Sequence, residues 1–273
     1  MSSERVRVAI LDDYQNVAFK FADWSGIQDR IIVDSFPDTT ADEDVLAKRL
    51  EPYTVICNST LEHIWALILA TVRYIVVEDV RTKAGAVPWQ ATIPMGLAGR
   101  TLGLVGVGRL GSQTAAIAKA FGMEVVGWSP HLTPERAESA GVTFIASKEE
   151  LLRRSDIVSV HMVLSDKTHH MITAADLALM KPSAFFINTS RGPLVDEAAL
   201  IEVLQKKGIA GAGLDVFDEE PLPLDHPLRK LDNVTLSPHM GYVSDNNYEV
   251  FWGHTVENIA AFLDGRPTRV MDG

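Results

Sequence analysis

Only one cysteine, Cys57, occurs in the 273 residues, so no internal disulfide framework can hold this chain, and its fold is expected to rest on a packed core in a reducing setting. Cys57 ends the apolar run Thr54 to Cys57 and reads as strand packing rather than as a reactive thiol. Blocks of Lys or Arg are also missing. With 25 basic against 36 acidic residues the formal net charge is −11, which argues against nucleic acid or an anionic membrane as a partner. Long apolar runs are scarce. The stretch Ile64 to Val77 is interrupted by Arg73 and is too short to cross a bilayer, and the opening Met-Ser-Ser-Glu-Arg has no apolar signal core, so the expected compartment is the cytosol. What is present is 47% hydrophobic residues, enough for a sizeable core in one large or two ordinary domains.

The most informative stretch is Gly103-Leu-Val-Gly-Val-Gly-Arg-Leu-Gly111. Thr101 to Val105 supplies a strand, and Leu110, Ala115, Ile117, Ala118 and Phe121 supply apolar positions for a following helix. Between them, Gly106-x-Gly108-x-x-Gly111 has the spacing of a dinucleotide fingerprint. Gly106 permits a tight turn, Gly108 lets backbone approach a pyrophosphate, and Gly111 allows close packing of helix on strand, while the helix N-terminus offers N–H groups to phosphate.

Apolar strands are expected at Val6 to Leu11, Ile31 to Phe36 and Tyr53 to Cys57, with a helix from Asp42 to Leu50 that Thr40 would cap. Ser59-Thr60-Leu61-Glu62 has the pattern of a capping box for one long, largely buried helix from Thr60 to Val77. After the proline- and glycine-containing loop Gly85 to Gly99, further strands are expected at Glu124 to Trp128, Asp156 to Val160, Ala184 to Asn188, Gly211 to Val216 and Val234 to Leu236. Helices are expected near Lys148 to Arg154, Ala174 to Met180, Asp196 to Lys206 and Ser244 to Leu263. Strands alternating with amphipathic helices predict an α/β, doubly wound parallel sheet of Rossmann type. The division expected is a dinucleotide-binding domain over 59–243, and a smaller domain over 1–58 plus 244–273.

Three further segments follow the fingerprint in order: Asn188-Thr-Ser-Arg-Gly-Pro-Leu-Val-Asp196, Gly213-Leu-Asp-Val-Phe-Asp-Glu-Glu-Pro221 and Ser237-Pro-His-Met-Gly-Tyr242. With the fingerprint, they closely resemble the D-isomer-specific 2-hydroxyacid dehydrogenases, the family of phosphoglycerate dehydrogenase and the glyoxylate/hydroxypyruvate reductases. The likeness runs from about Thr60 to the C-terminus and returns more weakly at Val8 to Gln15. One departure stands out. Family members place several dozen residues between the strand ending near Asn58 and the helix beginning near Thr60, and here the two are adjacent. The resemblance therefore implies an intact cofactor domain beside a flavodoxin-like substrate domain that is incomplete.

Reduction of a 2-oxo acid needs a proton donor at the carbonyl oxygen and a cation for the carboxylate. His239, after a strand and a proline, suits the acid and base role, because imidazole titrates near neutral pH. Arg191 follows an apolar strand, and its planar fork suits a carboxylate; a surface salt bridge to Asp196 or Glu197 is its competing role. The resemblance makes Glu220 the partner that orients His239, and puts Asp215 against a nicotinamide carboxamide, with a buried structural cap as the alternative for Asp215. It also implies a cofactor set of Gly106, Gly108, Arg109, Leu110, Gly111, Ser129, Met162, Thr189, Ser190, Asp215 and Gly241. The strand Glu124 to Trp128 ends in Ser129-Pro130-His131 without the acid that selects NAD, and His131 and Arg136 stand near, so the cofactor expected is NAD or NADP. His169-His170 has no third ligand at metal spacing, and no catalytic metal is expected. The function read from these residues is NAD(P)-dependent interconversion of a 2-oxo acid and a D-2-hydroxy acid in a homodimer. Its alternative is a nucleotide-binding protein without turnover.

Overall fold

The computed structural model describes residues 5–10, 13, 15–35 and 61–270. The expected strand Tyr53 to Cys57, the helix Asp42 to Leu50 with its cap Thr40, and the capping box opened by Ser59 and Thr60 lie outside the described residues. The chain divides into two compact units, Asn58–Gly241 and Met1–Cys57 with Tyr242–Gly273.

The larger unit is built on seven parallel strands: β3 (Thr101–Val105), β4 (Glu124–Trp128), β5 (Thr143–Phe144), β6 (Ile157–Val160), β7 (Phe185–Asn188), β8 (Gly211–Leu214) and β9 (Val234–Leu236). Their order across the sheet is β5-β4-β3-β6-β7-β8-β9. The chain runs outward from β3 to β5, then returns to place β6 against the other side of β3, with Leu102 beside both Val125 and Ile157. That reversal is the switch point where open α/β sheets take ligands, outside the carboxyl ends of the strands. Val158, Val160, Phe186 and Ile187 are fully buried, which explains unbroken apolar runs rather than alternation: both faces of the sheet are covered.

Two hydrophobic layers flank the sheet. One gathers Val160, Leu177, Phe186, Leu194, Leu200 and Leu214 under α5 (Lys148–Arg154), α6 (Ala174–Leu177) and α7 (Glu197–Gln205). The other gathers Ile64, Ile68, Leu104, Ala115, Ala118 and Ile187 under α1 (Leu61–Val72) and α3 (Arg109–Ala120). Helix α1 lies against β8 because Gly213 carries no side chain: a Cβ there would fall 2.5 Å from Thr71 Oγ1 and 3.1 Å from Leu67 Cγ.

The single long helix expected to Val77 is not formed. Helix α1 ends at Val72, Tyr74 takes φ 53°, and a separate helix α2 spans Ile75–Lys83. Tertiary contacts fix the break: the Tyr74 ring meets Phe185 edge-on at 6.0 Å, and Arg73 donates to the Met95 carbonyl at 3.1 Å. Helix α2 buries none of its residues, so the expected burial ends with α1. Phe121, expected on the buried face of α3, lies just past its end, 41% exposed and tilted against Trp65 at 5.1 Å. Helix α4 (Pro134–Ser139) and strand β5 are additions to the sequence reading. The other strands and helices fall within a few residues of expectation.

In the smaller unit, β1 (Val6–Ile10) pairs in parallel with β2 (Ile31–Ser35), Val6 opposite Ile31. Helix α8 (Asp245–Leu263) shares a core with them, in which Trp252 joins Val8, Ile10, Trp24, Ile27 and Ile31.

Candidate active site

Strand β3 delivers the fingerprint to the switch point. Gly106 has φ +104°, a conformation open to glycine, and a Cβ there would sit 2.5 Å from the His161 carbonyl and 3.0 Å from Met162 Sδ. Its N–H donates to the Trp128 carbonyl at 2.8 Å, holding the turn beside the end of β4 where Ser129 begins. A Cβ on Gly111 would approach the Gly106 carbonyl at 2.4 Å. Gly108 differs from both. Its backbone is extended (φ −91°, ψ −158°), it caps the N-terminus of α3, and a Cβ there would meet nothing within 4 Å. The protein itself does not require this glycine. Open space over the first N–H groups of α3, at Gly108, Arg109 and Leu110, is what a pyrophosphate needs, and the residues present fit a bound dinucleotide.

The loop after β7 is held by Asn188, a fully buried residue absent from the sequence-derived set. Its side chain accepts from Ser190 N at 3.0 Å and donates to the Arg191 carbonyl at 2.9 Å, bracketing the turn. Ser190 Oγ donates to the Val160 carbonyl at 2.7 Å, tying this loop to the end of β6 ahead of His161 and Met162; Thr189 between them is buried. Arg191 donates from Nη1 to the Ser190 carbonyl at 2.6 Å and makes no ion pair among the described residues. Its expected rivals are engaged elsewhere: Asp196 caps α7 through Ala199 N at 3.0 Å, and Glu197 meets His226 Nε2 at 3.2 Å. A Cβ on Gly192 would fall 2.1 Å from the Phe217 carbonyl, so this glycine seats the Arg191 turn directly on the loop that follows β8.

That loop carries Glu220, an exposed residue whose two carboxylate oxygens are both engaged. Its Oε1 accepts from Phe217 N at 2.9 Å, and its Oε2 lies 2.5 Å from His239 Nδ1. His239 follows β9 with φ 54°. Met240 N and Gly241 N then donate to the two carboxylate oxygens of Asp215, at 2.9 and 2.8 Å. Asp215 also takes His63 Nε2 at 3.0 Å and the Ser237 hydroxyl. With four donors on two oxygens, it caps the His239 loop from within. Contact with a nicotinamide carboxamide, which the resemblance implied, requires one of those donors to give way. Burial pushes the Asp215 carboxyl up, but the hydrogen bonds from His63, Ser237 and the loop hold it below the usual carboxylate range. His63 and Ser237 were missed in sequence. Only their positions, near the start of a helix and two residues before His239, distinguished them.

Among the described residues, no group of three or more His, Cys, Asp or Glu side chains could hold a metal ion. His169 and His170 stack on each other at 4.0 Å. No described helix is long and apolar enough to cross a membrane. A cavity of about 630 Å³ beside β5, lined by Lys119, Glu138, Thr143 and Arg154, lies apart from these loops.

A parallel, doubly wound sheet with this fingerprint at its switch point defines an α/β dinucleotide-binding protein. Residues 65–241 match the family described as D-isomer specific 2-hydroxyacid dehydrogenase, NAD binding domain, and the chain belongs to that family. It is 40% identical over 219 residues to a glyoxylate reductase of Aeropyrum pernix, covering 78% of this chain and 65% of the relative. A glyoxylate reductase of Thermococcus litoralis is 42% identical over 218 residues, covering 77% and 65%. The chain thus spans less than two thirds of the length of these relatives. Among solved structures, a phosphoglycerate oxidoreductase from Vibrio cholerae O395 superimposes with a TM-score of 0.85 at 30% identity, covering 96% of this chain and all of that one.

Proposed function

We propose that the chain is an NAD(P)-dependent oxidoreductase that interconverts a 2-oxo acid and a D-2-hydroxy acid. The observation that carries this reading is the His239–Glu220 pair at 2.5 Å, one loop away from an Arg191 with no acidic partner among the described residues. When bound, the cofactor supplies or accepts the hydride. Glu220 accepts from His239 Nδ1 and fixes the ring, which leaves Nε2 to give a proton to the substrate carbonyl oxygen in reduction and to take one from the hydroxyl in oxidation. Arg191 offers two parallel donors to the substrate carboxylate and polarises the adjacent carbonyl. Gly106, Gly108, Arg109, Leu110, Gly111, Ser129, Met162, Thr189, Ser190 and Gly241 would line a bound dinucleotide, and Asp215 caps the loop that carries Gly241. The substrate-binding part is the smaller unit, as the family resemblance suggests.

The exposed apolar side chains of α2 and the loop after it, Ile75, Val76, Val80, Val87, Trp89 and Ile93, support a homodimer. The single cysteine supports a cytosolic setting.

Fluorescence titration with NADH and NADPH, followed by turnover on a panel of 2-oxo acids that includes glyoxylate and hydroxypyruvate, tests the proposal. The expected result is binding with turnover, and a loss of roughly 10²–10⁴ in kcat for His239→Ala with cofactor affinity unchanged. A parallel assay restores the family's missing segment after Asn58. Binding without turnover in both proteins would make this chain a nucleotide-binding protein instead.

A further inference from the structure

His63 sits in the first turn of α1, far in sequence from the site, yet it reaches the loop that carries His239. Its Nε2 lies 3.0 Å from Asp215 Oδ1 and 3.1 Å from Ser237 Oγ. A serine, a histidine and an aspartate together suggest a hydrolytic relay, and the geometry excludes one: both contacts use the same ring nitrogen, whereas a relay needs the serine and the acid on opposite nitrogens. The contacts have a different consequence. His239 holds φ 54°, a left-handed conformation that costs a side-chain-bearing residue energy and persists only where its surroundings impose it. The imposing groups are visible. Asp215 grips the next two backbone N–H groups, at Met240 and Gly241, and the backbone carbonyl of Ser237, the residue whose hydroxyl meets His63, accepts the His239 N–H at 3.1 Å. Asp215 is itself 0% exposed, and a buried carboxylate is a dependable anchor only while its charge is compensated. His63 Nε2 is the side-chain nitrogen that faces this carboxylate, at 3.0 Å, and it touches the Ser237 hydroxyl as well.

We propose that His63 is a positioning residue for His239: through Asp215 and Ser237 it fixes the backbone turn that aims the His239 ring at Glu220 and the substrate. This rests on the acid and base role of His239 proposed above. Helix α1 can deliver the side chain because Gly213 lets the helix settle on β8, immediately before Asp215. The role is one of aim: His63 approaches the reacting atoms only through its neighbours.

The test compares His63→Leu, which keeps bulk and removes the donor, with His63→Gln, whose amide places an N–H near the position of Nε2. Three quantities are read in the full chain: kcat and KM for the 2-oxo acid, NADPH affinity by fluorescence, and the ¹⁵N shift of His239 Nδ1 by long-range proton–nitrogen correlation. His63→Leu is expected to lower kcat about tenfold, in the range typical of residues that orient a functional side chain, with KM and NADPH affinity unchanged. The Nδ1 shift moves away from its Glu220-bonded value, and His63→Gln restores both rate and shift. Unchanged rate and shift in His63→Leu overturn the proposal. Equal losses in both variants, or a loss of NADPH affinity in step with kcat, overturn it too, because His63 would then serve helix packing only. The nitrogen shift needs no turnover. If the parent binds NADPH but reduces no acid while the shift responds as stated, the functional reading falls and the role of His63 in the loop stands.

Discussion

A Cβ added at Gly111 would sit 2.4 Å from the Gly106 carbonyl, whereas one added at Gly108 would meet nothing within 4 Å. The two substitutions should therefore separate folding from binding. Gly111→Ala is expected to cost about 1–3 kcal/mol by overpacking, read as a lower midpoint in denaturant. Gly108→Val should keep the parent midpoint and lose NADH and NADPH binding; retained affinity in the folded variant would remove the fingerprint from the site. His161 behind the same turn gives a pH signature. Burial lowers its pKa from 6.5 to about 4. Well above pH 6.5 neither folded nor unfolded chain protonates this ring, so there it contributes no pH dependence. As pH falls from about 6.5 to about 4, only the unfolded chain takes the proton, and stability drops by up to about 1.4 kcal/mol per pH unit. Denaturant midpoints at pH 7, 6 and 5 should thus fall less steeply in His161→Gln than in the parent. The glycines, Arg191 and His239 were legible in sequence because each stands in a motif with fixed spacing. Asn188, Ser237 and His63 were not, because what they do depends on the donors and acceptors that folding brings to them.

Strands β3, β4, β6 and β7 were legible because residues buried on both sides leave an apolar run that few other structures need. Their neighbours were harder to read. Strand β5 has two residues, Thr143 and Phe144, too few for any periodicity, and α4, with six, was missed although Thr133, which accepts Arg136 N, and Pro134 at the first helical position are its start signals. The break after α1 had no local signal. Tyr74 is not a residue that favours positive φ, and its turn is accounted for by contacts distant in sequence, the Phe185 ring and the Met95 carbonyl that takes Arg73. The same break carries α2 off the core with Ile75, Val76 and Val80 between 49% and 61% exposed, a patch that a second copy of the chain would cover. Val80→Glu is accordingly expected to halve the mass found by light scattering at micromolar concentration while sparing NADPH binding. A parent protein that is already monomeric under those conditions would end the homodimer proposal.

The two units differ in what holds them. The larger has seven hydrogen-bonded strands between two hydrophobic layers, reinforced by partly buried ion pairs, Lys148 with Asp176 at 2.7 Å and Lys181 with Asp156 at 2.9 Å. Asp156 also accepts from the first N–H of β3, which ties the start of one central strand to the other. In the smaller unit the described sheet has two strands, and its core gathers round Trp24 and Trp252. Two-stranded sheets are marginal without further packing, and the fraction of surface buried falls with the size of a unit, so the smaller one should yield first. Tryptophan placement makes this measurable: Trp24 and Trp252 report the smaller unit, Trp65 and Trp128 the larger. With the exposed Trp89 replaced throughout, changing one pair at a time to phenylalanine should give two denaturation midpoints in urea, the lower one from Trp24 and Trp252. A fragment of residues 61–241 should then retain the upper transition and bind NADPH within about threefold of the full chain, because every residue proposed to contact the dinucleotide lies inside it and a threefold change is only about 0.6 kcal/mol. Coincident midpoints from both tryptophan pairs, with a fragment that neither folds nor binds, would mean that the dinucleotide-binding unit depends on the rest of the chain for its stability.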